Sequence, residues 1–314
     1  MITLRQHAIS LAAVFLALAV GVVLGSGLLN DTLLSGLRDD KRTQQRQIED
    51  LNQDKNALGE KLNAASNFDA TMAPRMVKDA LGDRKVVLFT TPEADRSDVD
   101  GIAQLISTAG GSVSARVGLT DQFTDANQGE RLRTIVNSSI LPAGTQLRTD
   151  AVDQGSQAGD LVGIVLQIAP HKPEEQAPPV TDEQRDIALS ALRQSGFITY
   201  TDGQVSAGNL AVIVTGGALP DDAGNKGSSV ARFAAALDRR GSGTVLVGRS
   251  GSANGIASIA VTRADGSMAS AASTVDDVEM ASGRITTVLA LREQSDGHSG
   301  RYGLGPGATS ITVP

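Results

Sequence analysis

Between Gln6 and Asn30 the chain carries no Asp, Glu, Lys or Arg. The apolar part of this stretch, Ala8–Leu29, is 22 residues long. As an α-helix it spans about 33 Å, close to the roughly 30 Å hydrocarbon core of a bilayer. A transmembrane anchor over residues 1–30 is therefore predicted. Arg5 precedes the apolar run and Asp31 is the first charge after it. Positive charge stays on the cytoplasmic side, so the N-terminus is expected inside and the bulk of the chain outside. The competing reading is a cleaved signal peptide, with Ala17-Leu18-Ala19 as its small-x-small site. The apolar run continues ten residues past Ala19, which favours an uncleaved anchor. Ala13, Ala17, Gly21 and Gly25 recur every four residues, and Gly21 to Gly25 is a GxxxG. Such a face lets two helices approach closely in lipid, which predicts pairing through Ala17, Gly21 and Gly25. The plainer reading is that small residues are common in membrane helices.

Residues 31–68 read as a coiled-coil stalk. Leu34, Lys41, Ile48, Lys55 and Leu62 fall at a positions, and Leu37, Gln44, Leu51, Leu58 and Ala65 at d. Seven of these ten are apolar, enough heptads for a coiled coil to be expected. Lys41, Gln44 and Lys55 weaken the seam and are of the kind that fixes register or strand number. Gly59 lowers helix propensity. The alternative is one amphipathic helix lying on the globular region. The narrow seam and the preceding GxxxG favour a parallel homodimer held by Leu34, Leu37, Ile48, Leu51, Leu58 and Leu62.

Residues 69–296 alternate strand and helix patterns, which predicts a layered α/β domain with mostly parallel strands. Strands are expected at Lys85–Pro92, Ser112–Leu119, Phe197–Thr201, Leu210–Thr215, Thr244–Gly248 and Ile256–Thr262. Helices are expected at Asp98–Ala109 with Ser97 as N-cap, at Glu130–Ser138, Thr181–Gln194, Ser228–Asp238 and Ile285–Glu293, and less distinctly over Val152–Ile168. Thr181 is the expected N-cap of its helix. The first two strands with their helix form a βαβ unit, which implies a parallel pair. A proline-rich connector over 170–180 holds four of the ten prolines and is expected to divide two half-sheets or lobes. The Gly- and Ser-rich tail, 297–314, is expected to be mobile.

Composition narrows the chemistry. The chain of 314 residues has no cysteine, three histidines and a formal net charge of −7. Thiolate metal sites, cysteine nucleophiles and disulfide scaffolds are thereby excluded. An acidic chain with no basic run is a poor nucleic-acid binder. His7, His171 and His298 lie far apart and in no ligand spacing. Gly216-Gly217 follows a strand but matches neither phosphate-loop pattern, so a tight turn is expected. Asp276-Asp277 and Asp221-Asp222 are neighbours in sequence. Such pairs do not face one another, and they read as solvated caps or turns. No GxSxG occurs. Eight aromatics scattered through the chain form no girdles of the kind a transmembrane barrel needs. No catalytic or cofactor-binding residue is assigned, and no enzyme is expected.

Several segments carry a family resemblance: the N-terminal MITLRQHAISLAAVFLALAVGVVLGSGLL, VNSSILPAG (136–144), VDQGSQAGD (152–160), VTGGAL (214–219), SVARFAAAL (229–237) and STVDDV (273–278). Over nearly its whole length the chain resembles the actinobacterial MctB family, mycobacterial copper transport protein B. The same family resembles SteB, partner of SteA in corynebacterial cell separation. The resemblance implies one of two roles. One is copper homeostasis, described as outer-membrane, pore-forming export. The other is that of a dimeric membrane scaffold bound to a SteA-like division protein, which the few residues before the anchor could contact. It carries over no metal or catalytic residue. Cu(I) prefers thiolate or thioether ligands and Cu(II) imidazole. Met72 and Met76, four apart, are the nearest thing to a thioether pair, but Pro74 between them is expected to disturb a helix there.

Overall fold

The structure, a computed structural model, describes residues 4–25, 28–168 and 180–314. The chain divides into two units, 1–65 and 66–314. The first contains helix α1 (Leu4–Gly25) and most of helix α2 (Leu28–Met76). Within α1 the stretch Arg5–Val23 is the one described segment long and apolar enough to cross a membrane, and none of it is buried by protein. α2 runs unbroken for 49 residues, past the expected end of the stalk at 68. Pro74 does not stop it short, because it falls in the last turn, where its missing N–H costs one ladder bond. The helix then closes on Val77, whose N–H donates to the Ala73 carbonyl at 3.0 Å.

Among the described residues the second unit is built on seven strands. In chain order they and their helices are β1 (Lys85–Thr90), α3 (Arg96–Thr108), β2 (Ser112–Leu119), α4 (Asp121–Thr124), α5 (Gly129–Val136), α6 (Gln154–Leu166), α7 (Asp182–Gln194), β3 (Ile198–Tyr200), β4 (Leu210–Val214), α8 (Lys226–Asp238), β5 (Thr244–Val247), α9 (Ser258–Ala264), α10 (Gly266–Ala271), β6 (Ser273–Val275), α11 (Ala281–Ser295) and β7 (Arg301–Tyr302). The strand order is β3-β2-β1-β4-β5-β6-β7. Every pair is parallel except β2–β3. This is the mostly parallel α/β sheet that the alternation implies.

Alternate residues of the central strands feed opposite faces, as the two-residue period requires. Val87, Phe89, Ala211 and Ile213 pack under α6, α8 and α9. Val86, Leu88, Val212 and Val214 pack under α3, α11, Ala73 in the last turns of α2, and Val77 just after it. The central strands are buried on both sides, so they read as continuous apolar runs. The crossover β1–α3–β2 moves one way along the sheet and β4–α8–β5 the other, with their helices on opposite faces. Both therefore share the right hand that parallel crossovers adopt. The chain reverses direction between β1 and β4. The last connection, β6–α11–β7, continues in the direction of β4–α8–β5 with its helix on the opposite face, and so has the rare hand.

Four expectations need correction. Ile256–Thr262 is not a strand: helix α9 occupies Ser258–Ala264, with Ser258, Ile259, Thr262 and Arg263 buried at helical spacing. The N-cap of α3 is Asp95, which accepts from the Ser97 N–H at 2.8 Å and the Ser97 hydroxyl at 2.6 Å. Residues 169–179, the core of the proline connector, lie outside the described residues, but the strands on either side of it share one sheet and not two half-sheets. The tail is tied down: Arg301–Tyr302 pairs with β6, and the Thr286 hydroxyl donates to that of Thr312 at 2.9 Å. Thr181 caps α7 as expected, within a capping box with Gln184.

Candidate functional site

Two regions could serve function: the uncovered faces of the first unit, and the carboxyl edge of the sheet in the second. On α1, Ala17, Gly21 and Gly25 are exposed and one turn apart, and a methyl group built on either glycine meets nothing within 4 Å. On α2, Ile48, Leu51, Leu58 and Leu62 are 52–67% exposed. The side chains of Leu34 and Leu37 lie outside the described residues. The predicted seam and the GxxxG face are thus open surfaces.

In open α/β sheets ligands bind at the carboxyl ends of the strands, where the winding reverses. Here that point lies between β1 and β4, and the loops after β1, β4, β5 and β6 meet over it. Their approach is close. A Cβ on Gly216 would lie 2.8 Å from the Glu93 carbonyl oxygen, and one on Gly217 would lie 2.8 Å from that of Ser250. The glycines let three loops abut, and α8 does not begin until Lys226. The expected tight strand-to-helix turn is therefore not formed: β4 ends at Val214 and a loop of eleven residues leads to α8, with the two glycines serving close loop contact.

Beside it lies a charged network. Asp98, 1% exposed on the first turn of α3, takes the Arg249 Nε–H on Oδ2 at 2.6 Å and faces Arg284 Nη1 at 3.7 Å. Arg249 also reaches Asp95 at 3.0 Å. The Asp98 hydrogen bond holds the Arg249 guanidinium above its ordinary pKa. Hydrogen bonds from Ser97, aided by Arg249, hold Asp95 below the usual carboxylate range. Arg284 donates to the carbonyls of Val278 at 3.0 Å and Glu279 at 2.9 Å, and the Glu279 carboxylate accepts the Ser250 N–H at 3.0 Å. A cavity of about 530 Å³ opens next to this network, between α3 and the end of α2, with Pro74, Gln104, Thr108 and Arg284 in its wall. The carboxylates of Asp95 and Asp98 face guanidinium groups, an arrangement that ties the loops after β1 and β5 together.

Sequence reasoning missed a second buried pair. Asp276 and Asp277 are 2% and 6% exposed, so they are not solvated turn residues. Asp276 accepts from Arg263 Nη1 at 2.6 Å and from the N–H groups of Leu304 and Gly305 at 2.7 and 2.9 Å. Arg263 also donates to Thr274, Tyr302 and Pro306. The pair joins α9, β6 and the tail. Asp277 adopts φ 73°, and its Oδ1 is buried with no hydrogen-bond partner among the described residues. Burial, with Asp276 and Glu279 nearby, pushes its pKa up to about 7. Asp221 and Asp222 are exposed, as expected.

Among the described residues no group of three or more His, Cys, Asp or Glu is placed to hold a metal ion. Met72 is half-buried and Met76 exposed, one turn apart on α2. His298 is exposed, and His171 lies outside the described residues.

These features define a class: a doubly wound α/β domain carried behind one helix of membrane-spanning length and apolarity. A family model described as "Copper transport outer membrane protein, MctB" matches residues 1–313, and the chain belongs to the MctB family. It is 56% identical over 315 residues to the copper transporter MctB of Mycobacterium tuberculosis (strain ATCC 25618 / H37Rv), a match that covers 100% of this chain and 99% of that protein. The values for the copper transporter MctB of Mycobacterium bovis are the same. The copper transporter MctB of Mycobacterium leprae is 57% identical over 319 residues, with both chains covered in full. These relatives are named as transporters and not as enzymes.

Proposed function

We propose that this chain is a single-pass membrane protein of the cell envelope, with its N-terminus in the cytoplasm and its α/β domain outside, and that it serves copper homeostasis without catalysing a reaction. The observation that carries this reading is the full-length match to the MctB family. The apolar helix Arg5–Val23 supports the anchor. The pairing of Asp98 with Arg249 and Arg284, and of Asp276 with Arg263, supports a non-enzymatic role for those two carboxylates. The second unit's strands form an open sheet clad by helices on both faces, a construction for displaying surfaces and not a closed barrel. On this reading copper is cargo or signal, handled together with other envelope components.

The test is complementation. In a strain lacking its own MctB relative, the full chain is expected to lower cell-associated copper and restore growth in copper-supplemented medium. A version truncated before Asp31, secreted through an unrelated leader, is expected to do neither. Unchanged copper content with the full chain present in the membrane would overturn the copper role.

A further inference from the structure

We infer that the exposed seam of α2 docks a second copy of this chain, parallel and in register, and that two lysine–aspartate pairs across the interface set that register. The polarity rests on the anchor reading above: two single-pass copies enter their stalks pointing the same way. Ile48, Leu51, Leu58 and Leu62 follow heptad spacing and stand more than half exposed. A solvated helix gains nothing from such a stripe, whereas a partner helix buries it.

The occupant is identified by charge. The two lysines in the seam, Lys41 and Lys55, both occupy a positions, and each directly follows an aspartate at g, Asp40 and Asp54. All four side chains are exposed in the single chain. In a parallel two-stranded coil, an a side chain inserts beside the g residue that precedes the equivalent a position on the other helix. Lys41 then lies beside Asp40 of the second copy, and Lys55 beside Asp54 of the second copy. The lysine stems stay in the seam while their ammonium groups reach outward to the carboxylates. A slip of one heptad sets Lys55 beside Gln47 or Lys61, so the attraction is lost or reversed. An antiparallel partner brings g against g and separates the lysines from the aspartates. The repeat of the Asp-Lys step, two heptads apart, thus specifies one geometry and one partner.

The chain has no cysteine, so single cysteines report the interface cleanly. In membranes containing the full chain, mild oxidation is expected to link Leu51→Cys and Leu58→Cys each to itself as a dimer, while Gln53→Cys, at an f position, stays monomeric. Lys55→Glu in the Leu51→Cys background is expected to cut the yield several-fold, and adding Asp54→Lys to restore it. No dimer from either seam position, equal dimer from Gln53→Cys, or no restoration by Asp54→Lys would each overturn the inference. Carbonate extraction separates the two readings. A chain that washes off the membrane yet still links through Leu51→Cys refutes the anchor and keeps the coil.

Discussion

At the scale of single residues, the second unit is held by buried charges whose partners lie far away in sequence. The side chains of Arg263 and Asp276 are each 3% exposed, and burial lowers the Arg263 pKa despite the carboxylate beside it. Removing one member of such a pair strands the other, which typically costs about 3–5 kcal/mol. Asp276→Ala is therefore expected to lower unfolding stability by that order in urea titrations. It should also expose the tail after Gly303 to protease, since Asp276 holds the N–H groups of Leu304 and Gly305. Asp277 makes a second prediction. Its folded pKa of about 7 lies above the unfolded carboxylate value of roughly 4. The folded state thus holds the proton more tightly, and this contribution is complete below about pH 4 and lost as pH rises through about 7. Asp277→Asn keeps the shape, tolerates the positive φ and cannot ionise. The variant is expected to be more stable than the parent at pH 8, with a flatter urea midpoint between pH 4 and 8. Neither carboxylate was legible as buried from the sequence. Arg263 sits on a helix that reads as a strand, and the carboxylate's other partners come from a tail that reads as free.

At the scale of elements, what was legible follows the burial pattern. β1, β4 and β5 are buried on both faces, so their sequences are unbroken apolar runs, and the helices over them announce themselves through caps such as Thr181 and through glycines that close them, as Gly196 does at φ 81°. β6 was not legible. It is Ser273-Thr274-Val275, and its hydroxyls are consumed inside the fold, where Ser273 Oγ accepts from Gln294 at 2.9 Å and Thr274 Oγ1 from Arg263 at 2.9 Å. A polar triplet becomes a strand there only because the tertiary structure satisfies it. The packing of α6 on α8 was hidden in a different way. Gly155, Gly159 and Gly163 form a four-residue repeat like that in α1, but theirs is filled. A Cβ on Gly155 would lie 2.4 Å from the Ser229 carbonyl oxygen, on Gly159 2.5 Å from that of Phe233, and on Gly163 2.7 Å from the Arg240 side chain. Backbone cannot yield as a side-chain tip can, so Gly159→Ala is expected to destabilise the fold by about 1–3 kcal/mol through overpacking. Gly59→Ala on α2 is the contrasting case. Nothing lies within 4 Å of the added methyl, and the exchange of glycine for alanine is expected to raise the helix's thermal midpoint, with a gain of up to about 1 kcal/mol. Circular dichroism melts of the two variants against the parent check both signs.

At the scale of the whole molecule, the anchor reading converts into a statement about which residues meet which compartment. The first unit's apolar helix is short of charge from Gln6 onward, and Arg5 is the only side-chain cation before it. Crossing the bilayer with Arg5 outside would oppose the bias that keeps Arg and Lys in the cytoplasm. Everything after Asp31, including the acidic α/β domain, then lies on the far side. The absence of native cysteine makes this measurable at single positions. Ile187 is 58% exposed on α7, so Ile187→Cys perturbs little and is open to reagents. In sealed right-side-out vesicles, a membrane-impermeant maleimide is expected to label Ile187→Cys at once, and Thr3→Cys only after the vesicles are permeabilised. Arg5→Glu reverses the side-chain charge just before the span and is expected to raise the fraction with reversed labelling. Equal labelling of Thr3→Cys and Ile187→Cys before permeabilisation would place both on one side and end the single-pass reading. Reversed labelling of the two single-cysteine chains with Arg5 intact would keep the span and put the copper-handling role inside the cell.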